Sequence, residues 1–119
     1  YSFLKRLEFR APDPSANPYL VFSAVLAAGL DGVKKKSDPG DQVKEDIFKM
    51  TRSERNKRGI GVLPANLGEA LDALESDRKF LESVFTSDFL DKYIELKFIE
   101  YKNFAQTPTA WEVSMYADA

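Results

Sequence analysis

Three apolar patterns divide the chain. From Pro18 to Val33, the residues Leu20, Val21, Phe22, Val25, Leu26, Leu30 and Val33 leave few polar positions, while Ala24, Ala27, Ala28 and Gly29 permit close approach. A helix that is apolar almost all round is buried on most sides, so this segment reads as a buried core helix. Ser15 or Asn17 is its cap, and Pro18 suits a first-turn position where a missing N–H costs little. Lys34, Lys35 and Lys36 finish it, where cations complement the helix dipole. The second pattern, Leu67, Ala70, Leu71 and Leu74, follows Asn66 with Glu69 three residues on, a capping-box-like start. Phe80 and Leu81 extend that element after a kink. The third opens at Thr86 with Asp88 in its first turn, and runs through Phe89, Leu90, Tyr93, Ile94, Leu96 and Lys97 towards Phe104. Its aromatic residues read as core.

Ahead of the first helix the period changes to two. In an extended strand Arg6, Glu8 and Arg10 project from one face and Lys5, Leu7 and Phe9 from the other, with about 6.5 Å between successive Cα atoms on a face. Such a face can grip one polyanionic ligand, or Glu8 can simply neutralise two arginines on a solvated ladder. The proline-punctuated run Ala11-Pro12-Asp13-Pro14-Ser15-Ala16-Asn17-Pro18 carries this strand directly into the helix. The predicted class is therefore α+β and mostly helical: an N-terminal β-strand, a buried helix, then two or more further helices. A lone strand cannot satisfy its ladder hydrogen bonds, and the chain opens on Tyr1. The expectation is a C-terminal piece of a longer protein.

Between the patterns, Ser37-Asp38-Pro39-Gly40-Asp41 reads as a turn, and the stretch from there to Pro64 as a charged loop without sustained periodicity. Its basic cluster, Arg52, Arg55, Lys57 and Arg58, fits a solvated loop. Gly59-Ile60-Gly61 lacks the third glycine of a dinucleotide fingerprint and follows no strand, so no such site is expected. In the tail, Thr109 caps a short segment whose Trp111, Val113, Met115 and Tyr116 are apolar enough to dock on the same subunit or on a neighbouring one.

Composition narrows the chemistry. With 119 residues, 44% of them hydrophobic, the chain has the material of one domain or part of one. Seventeen basic against 19 acidic residues leave a formal charge of −2, which gives no general attraction to nucleic acid or anionic membrane. The apolar run from Tyr19 to Leu30 is too short to span a bilayer. Without Cys there is no disulfide frame or thiolate, which fits a reducing compartment. Without His, the commonest metal ligand and general base is missing, so triads and His-containing zinc sites cannot be built from this chain. Carboxylates, Lys, Arg, Tyr and backbone groups must carry any reaction.

The run Arg6-Leu7-Glu8-Phe9-Arg10, followed by Ala11-Pro12-Asp13-Pro14-Ser15-Ala16-Asn17-Pro18-Tyr19-Leu20, resembles the C-terminal catalytic segment of type I glutamine synthetases. Ala28-Gly29-Leu30-Asp31-Gly32-Val33-Lys34, Asp38-Pro39-Gly40, Leu67 to Leu74, Val84-Phe85-Thr86 and Tyr93 to Lys97 continue the resemblance in order. It implies that residues 1–119 are the C-terminal portion of a catalytic domain of an ATP-dependent ligase. That enzyme makes glutamine from glutamate and ammonia through a γ-glutamyl phosphate. It further implies Glu8 as a ligand of Mg²⁺ or Mn²⁺, Arg10 as the catalytic and substrate-binding arginine, and Arg6 towards the nucleotide phosphates. The physical chemistry agrees, since phosphoryl transfer uses hard cations held by carboxylates and guanidinium groups that absorb charge. A cytoplasmic homo-oligomer, a double-ringed dodecamer whose C-terminal segment reaches the opposite ring, follows from the same resemblance, with neither nucleic acid nor membrane as partner. The chain departs from the family pattern at its end, where Ala110-Trp111 and the residues after Glu112 differ, and at two earlier positions. Phe3 stands where many relatives carry a nucleotide-contacting Lys, and Phe48 where an enterobacterial Tyr is adenylylated, so that modification is not expected here. An acceptor amine other than ammonia, or a non-catalytic module of the same fold, are the alternative readings.

Overall fold

The computed structural model describes residues 8–117. They fall into two units divided between Leu63 and Pro64. Among the described residues there are five α-helices, two 3₁₀ turns and no strand. Of the expected N-terminal strand only Glu8, Phe9 and Arg10 are described, and they are irregular; the remainder, Arg6 included, lies outside the described residues. A strand needs a second ladder to take its backbone groups, and none of the described residues provides one.

In the first unit, α1 (Pro18–Lys35) starts where proline predicts it. Asn17 is the cap: its Oδ1 accepts from the backbone N–H groups of Tyr19 and Leu20 at 3.0 and 3.4 Å. The end is a left-handed residue, Lys36 at φ +52°, with Ser37 N–H donating back to the Gly32 carbonyl at 2.9 Å. This is the closing geometry usually given to glycine. Lys35 also pairs with Asp31 one turn earlier at 2.7 Å. The expectation of a buried helix is corrected: in α1 only Ala27 is buried, while Phe22 is 71% and Val33 76% exposed. An apolar stripe is buried only where another apolar surface meets it, and here Ala27 is buried while Leu20, Val21 and Ala24 are half-buried. Nor does Gly29 serve close approach among the described residues, where a Cβ would meet nothing within 4 Å. Beyond the turn at Asp38, whose carboxylate accepts from Gly40 N–H, come a 3₁₀ turn (Ile47–Lys49) and the short α2 (Arg52–Lys57).

In the second unit, α3 (Leu67–Ser76) packs on α4 (Ser87–Ala105), and α5 (Ala110–Tyr116) follows. Asn66 caps α3 through Glu69 N–H at 3.0 Å, and Glu69 returns a carboxylate oxygen to Ala65 N–H at 2.9 Å. The expected box is therefore closed one residue early. Asp77 ends α3, and the kinked extension through Phe80 and Leu81 is a separate 3₁₀ turn, Lys79–Ser83. Leu71, Leu81 and Leu90 give α3, this turn and α4 one buried leucine each. Arg78 is paired with Asp91, tying the residue before the turn to α4. The narrowest approach is at Gly68: a Cβ built there would stand 2.7 Å from Tyr101 Cε1. Only a residue without a side chain allows α3 this close to α4.

The third helix opens at Thr86 as expected: Thr86 caps α4, accepting from Phe89 N–H at 3.2 Å. The aromatic stripe is narrower than its sequence suggests. Leu90 is buried and Tyr93, Ile94, Lys97 and Tyr101 are half-buried, an i, i+3, i+4, i+7, i+11 face that leaves Leu96 and Phe104 exposed. Phe85, Phe89 and Tyr93 stack in sequence with ring centroids 5.1 and 6.2 Å apart.

Candidate functional site

Glu8 and Arg10 meet directly. Arg10 donates from Nε and Nη2 to the same Glu8 oxygen, Oε2, at 3.1 and 2.6 Å, and both side chains face solvent. The two-residue spacing that would put them side by side on a strand brings them together here without a ladder. Arg6, the third member of the expected face, lies outside the described residues. An exposed pair of this kind is worth only about 0 to 1 kcal/mol. An acidic ligand can therefore displace Glu8 from the Arg10 fork at small cost.

The connector behind the pair is more ordered than its composition suggests. Asp13 holds a turn in which Ala16 N–H donates to its carbonyl at 3.0 Å, and its Oδ1 accepts from Ser15 N–H at 2.7 Å and from Ser15 Oγ at 2.5 Å. The Ser15 hydroxyl, then its N–H, keep the Asp13 carboxyl below the usual carboxylate range. The prolines mark a turn here from the sequence but do not single out the part Asp13 plays in it, although Asp followed by Pro is a recognisable turn signal.

Elsewhere, the basic cluster is partly structured rather than a free loop. Thr51 and Glu54 form a reciprocal capping box that starts α2. The pattern Thr-x-x-Glu could have revealed this helix from the sequence. Arg58 pairs with Glu45 at 2.7 Å and holds that carboxyl below its usual range, while Arg55 Nε is buried without a hydrogen-bond partner. Phe48, on its 3₁₀ turn, is fully exposed. No group of three or more acidic residues among those described could hold a metal ion, so the chemistry available to a hard cation at the N-terminal pair is the single carboxylate of Glu8. Among the described residues no helix is long and apolar enough to cross a membrane. A groove of about 520 Å³ on the second unit, lined by Glu75, Arg78, Asp91, Ile94 and Phe98 among others, contains neither Glu8 nor Arg10.

Comparison with known proteins gives a consistent picture. Residues 3–116 match the family described as glutamine synthetase, catalytic domain. A glutamine synthetase of Sulfolobus acidocaldarius is 50% identical over 115 residues, covering 97% of this chain and 24% of the relative. One from Bradyrhizobium diazoefficiens is 47% identical over 114 residues, covering 94% of this chain and 24% of the relative. A solved structure described as apo GmaS without ligand superimposes with a TM-score of 0.68 at 32% identity, over 92% of this chain and 25% of that one. The chain thus spans about a quarter of the length of the curated relatives it matches.

Proposed function

The chain belongs to the glutamine synthetase catalytic-domain family, and on that premise we propose that it is the C-terminal portion of an ATP-dependent ligase that joins ammonia to the side-chain carboxylate of glutamate. The observation that carries this reading is the Glu8–Arg10 pair, which lies inside the matched residues at the entrance to α1. Arg10 presents a planar fork of N–H donors already oriented to a carboxylate oxygen, the geometry that glutamate or a phosphoryl group requires. Glu8 provides a hard oxygen of the type that Mg²⁺ or Mn²⁺ accepts, as one ligand of a set completed by residues outside this chain. When bound, such an ion neutralises charge on phosphate oxygens. Arg6 is assigned towards the nucleotide phosphates. By itself the chain is inactive on this reading, because one carboxylate does not enclose a cation. A cytoplasmic homo-oligomer, a dodecamer by family resemblance, belongs to the same proposal and is measured by light scattering of the full-length protein.

The test is glutamine formation by the full-length protein that carries this chain. Glu8→Ala and Arg10→Ala are each expected to lower kcat/KM by at least about a hundredfold, the scale of lost transition-state charge stabilisation. Unchanged activity in Glu8→Ala would refute the assignment. Turnover with ethanolamine or a polyamine, and none with ammonia, would replace the acceptor.

A further inference from the structure

Resting on the function proposed above, we propose that Asp13 is a positioning residue, which sets the direction of the Glu8–Arg10 pair relative to α1 by locking the turn between them. Neither member of the pair is buried. The connector of residues 11–17 is the covalent link that joins the pair to α1. Pro12, Pro14 and Pro18 fix three φ angles near −65°. The remaining freedom is concentrated at Ala11, Asp13, Ser15, Ala16 and Asn17. Asn17 spends its side chain on the first turn of α1. Asp13 is the residue that closes the turn: its carbonyl takes Ala16 N–H, and its carboxylate takes both the N–H and the hydroxyl of Ser15. Aspartate at the first turn position and proline at the second is the arrangement that such a turn favours. The turn and the helix cap are consecutive, so a change of backbone angle at Asp13 is carried to Arg10 through Ala11 and Pro12 alone. A displacement of about 1 Å at a reacting group can cost about a hundredfold in rate.

The experiment compares Asp13→Ala and Asp13→Asn in the full-length protein, with Glu8→Ala alongside, by steady-state glutamine formation and thermal unfolding. Asp13→Ala should lower kcat/KM about ten- to a hundredfold, with a raised KM for glutamate and an unchanged thermal midpoint. Asp13→Asn should recover most of that loss, because its amide oxygen still accepts from Ser15 N–H. Wild-type activity in Asp13→Ala, equal impairment of the two variants, or a loss matched by a lowered midpoint would overturn the role given to Asp13. If Glu8→Ala is inactive while Asp13→Ala is unaffected, only this inference fails. If Glu8→Ala is fully active, the proposed function fails with it.

Discussion

Gly68→Ala adds one methyl group where α3 meets α4, and its effect can be worked from the contacts it would make. The new Cβ would stand 2.7 and 2.8 Å from Tyr101 Cε1 and Cζ, and 3.1 Å from Asn66 Oδ1. Carbon atoms pack best at about 3.5 Å or more, so the tyrosine ring or the helix must shift by about 0.8 Å. Overpacking of this size costs about 1 to 3 kcal/mol. Against it stands the helix preference for alanine over glycine, at most about 1 kcal/mol and smaller in the first turn, where Gly68 lies. The third contact adds to the cost, because Asn66 Oδ1 is also the capping acceptor for Glu69 N–H. The net expectation is about 1 to 2 kcal/mol of destabilisation, local to α3 and α4. Amide hydrogen exchange reads this directly as protection in both helices reduced about 5- to 30-fold. Adding Tyr101→Ala should remove most of the Gly68→Ala penalty, since the ring is then gone. Neutral or increased protection in Gly68→Ala, or an undiminished penalty on the Tyr101→Ala background, would refute the claim that close approach requires glycine here.

Leu71→Ala and Leu90→Ala each open a cavity at a nearly fully buried site and should cost about 2 to 5 kcal/mol, against under about 0.5 kcal/mol for an exposed polar position such as Asp72, in a urea titration followed by far-ultraviolet circular dichroism. The α5 cap should depend on pH. Thr109 N–H, and then its hydroxyl, lower the pKa of Glu112, so the helix gains stability above the unfolded glutamate value of about 4.3 and loses it as pH falls through the lower folded value. Backbone amide shifts of residues 109–113 should hold steady from pH 7 to about 5 and move below it, and Glu112→Gln should flatten that response. A response that persists in Glu112→Gln would assign it to another group.

How much of this was readable from the sequence follows the range of the forces involved. Caps act within three or four residues: Asn66 and Thr109 cap where the sequence predicts, Asn17 is one of the two candidates for α1, and Thr86, where the third pattern opens, caps α4. The α2 helix was missed for a different reason. It is six residues long and lacks an apolar stripe, so periodicity is silent and only the Thr51–Glu54 box marks it. The predicted burial of α1 failed because burial depends on two surfaces, and the sequence of a helix specifies only one. The same applies to α4, where the pattern showed many apolar positions but did not reveal that only a narrow face, from Leu90 to Tyr101, is covered. At the site, the spacing of Glu8 and Arg10 was legible, and so was their mutual reach. The restraint supplied by Asp13 depends on hydrogen bonds from Ser15 and Ala16, which hydrophobic patterning does not encode.

The position of Trp111 has a practical optical consequence. It is the chain's one tryptophan, mostly exposed on α5 and edge-on to Tyr116 with ring centroids 6.3 Å apart. Its emission already reports a wet indole in the native state, so unfolding of α3 and α4 changes its surroundings little. A fluorescence melt of this chain would therefore record the tail leaving its cap while remaining almost blind to the buried Leu71, Leu81 and Leu90. The stacked rings of Phe85, Phe89 and Tyr93 make near-ultraviolet dichroism the better optical reporter of the start of α4.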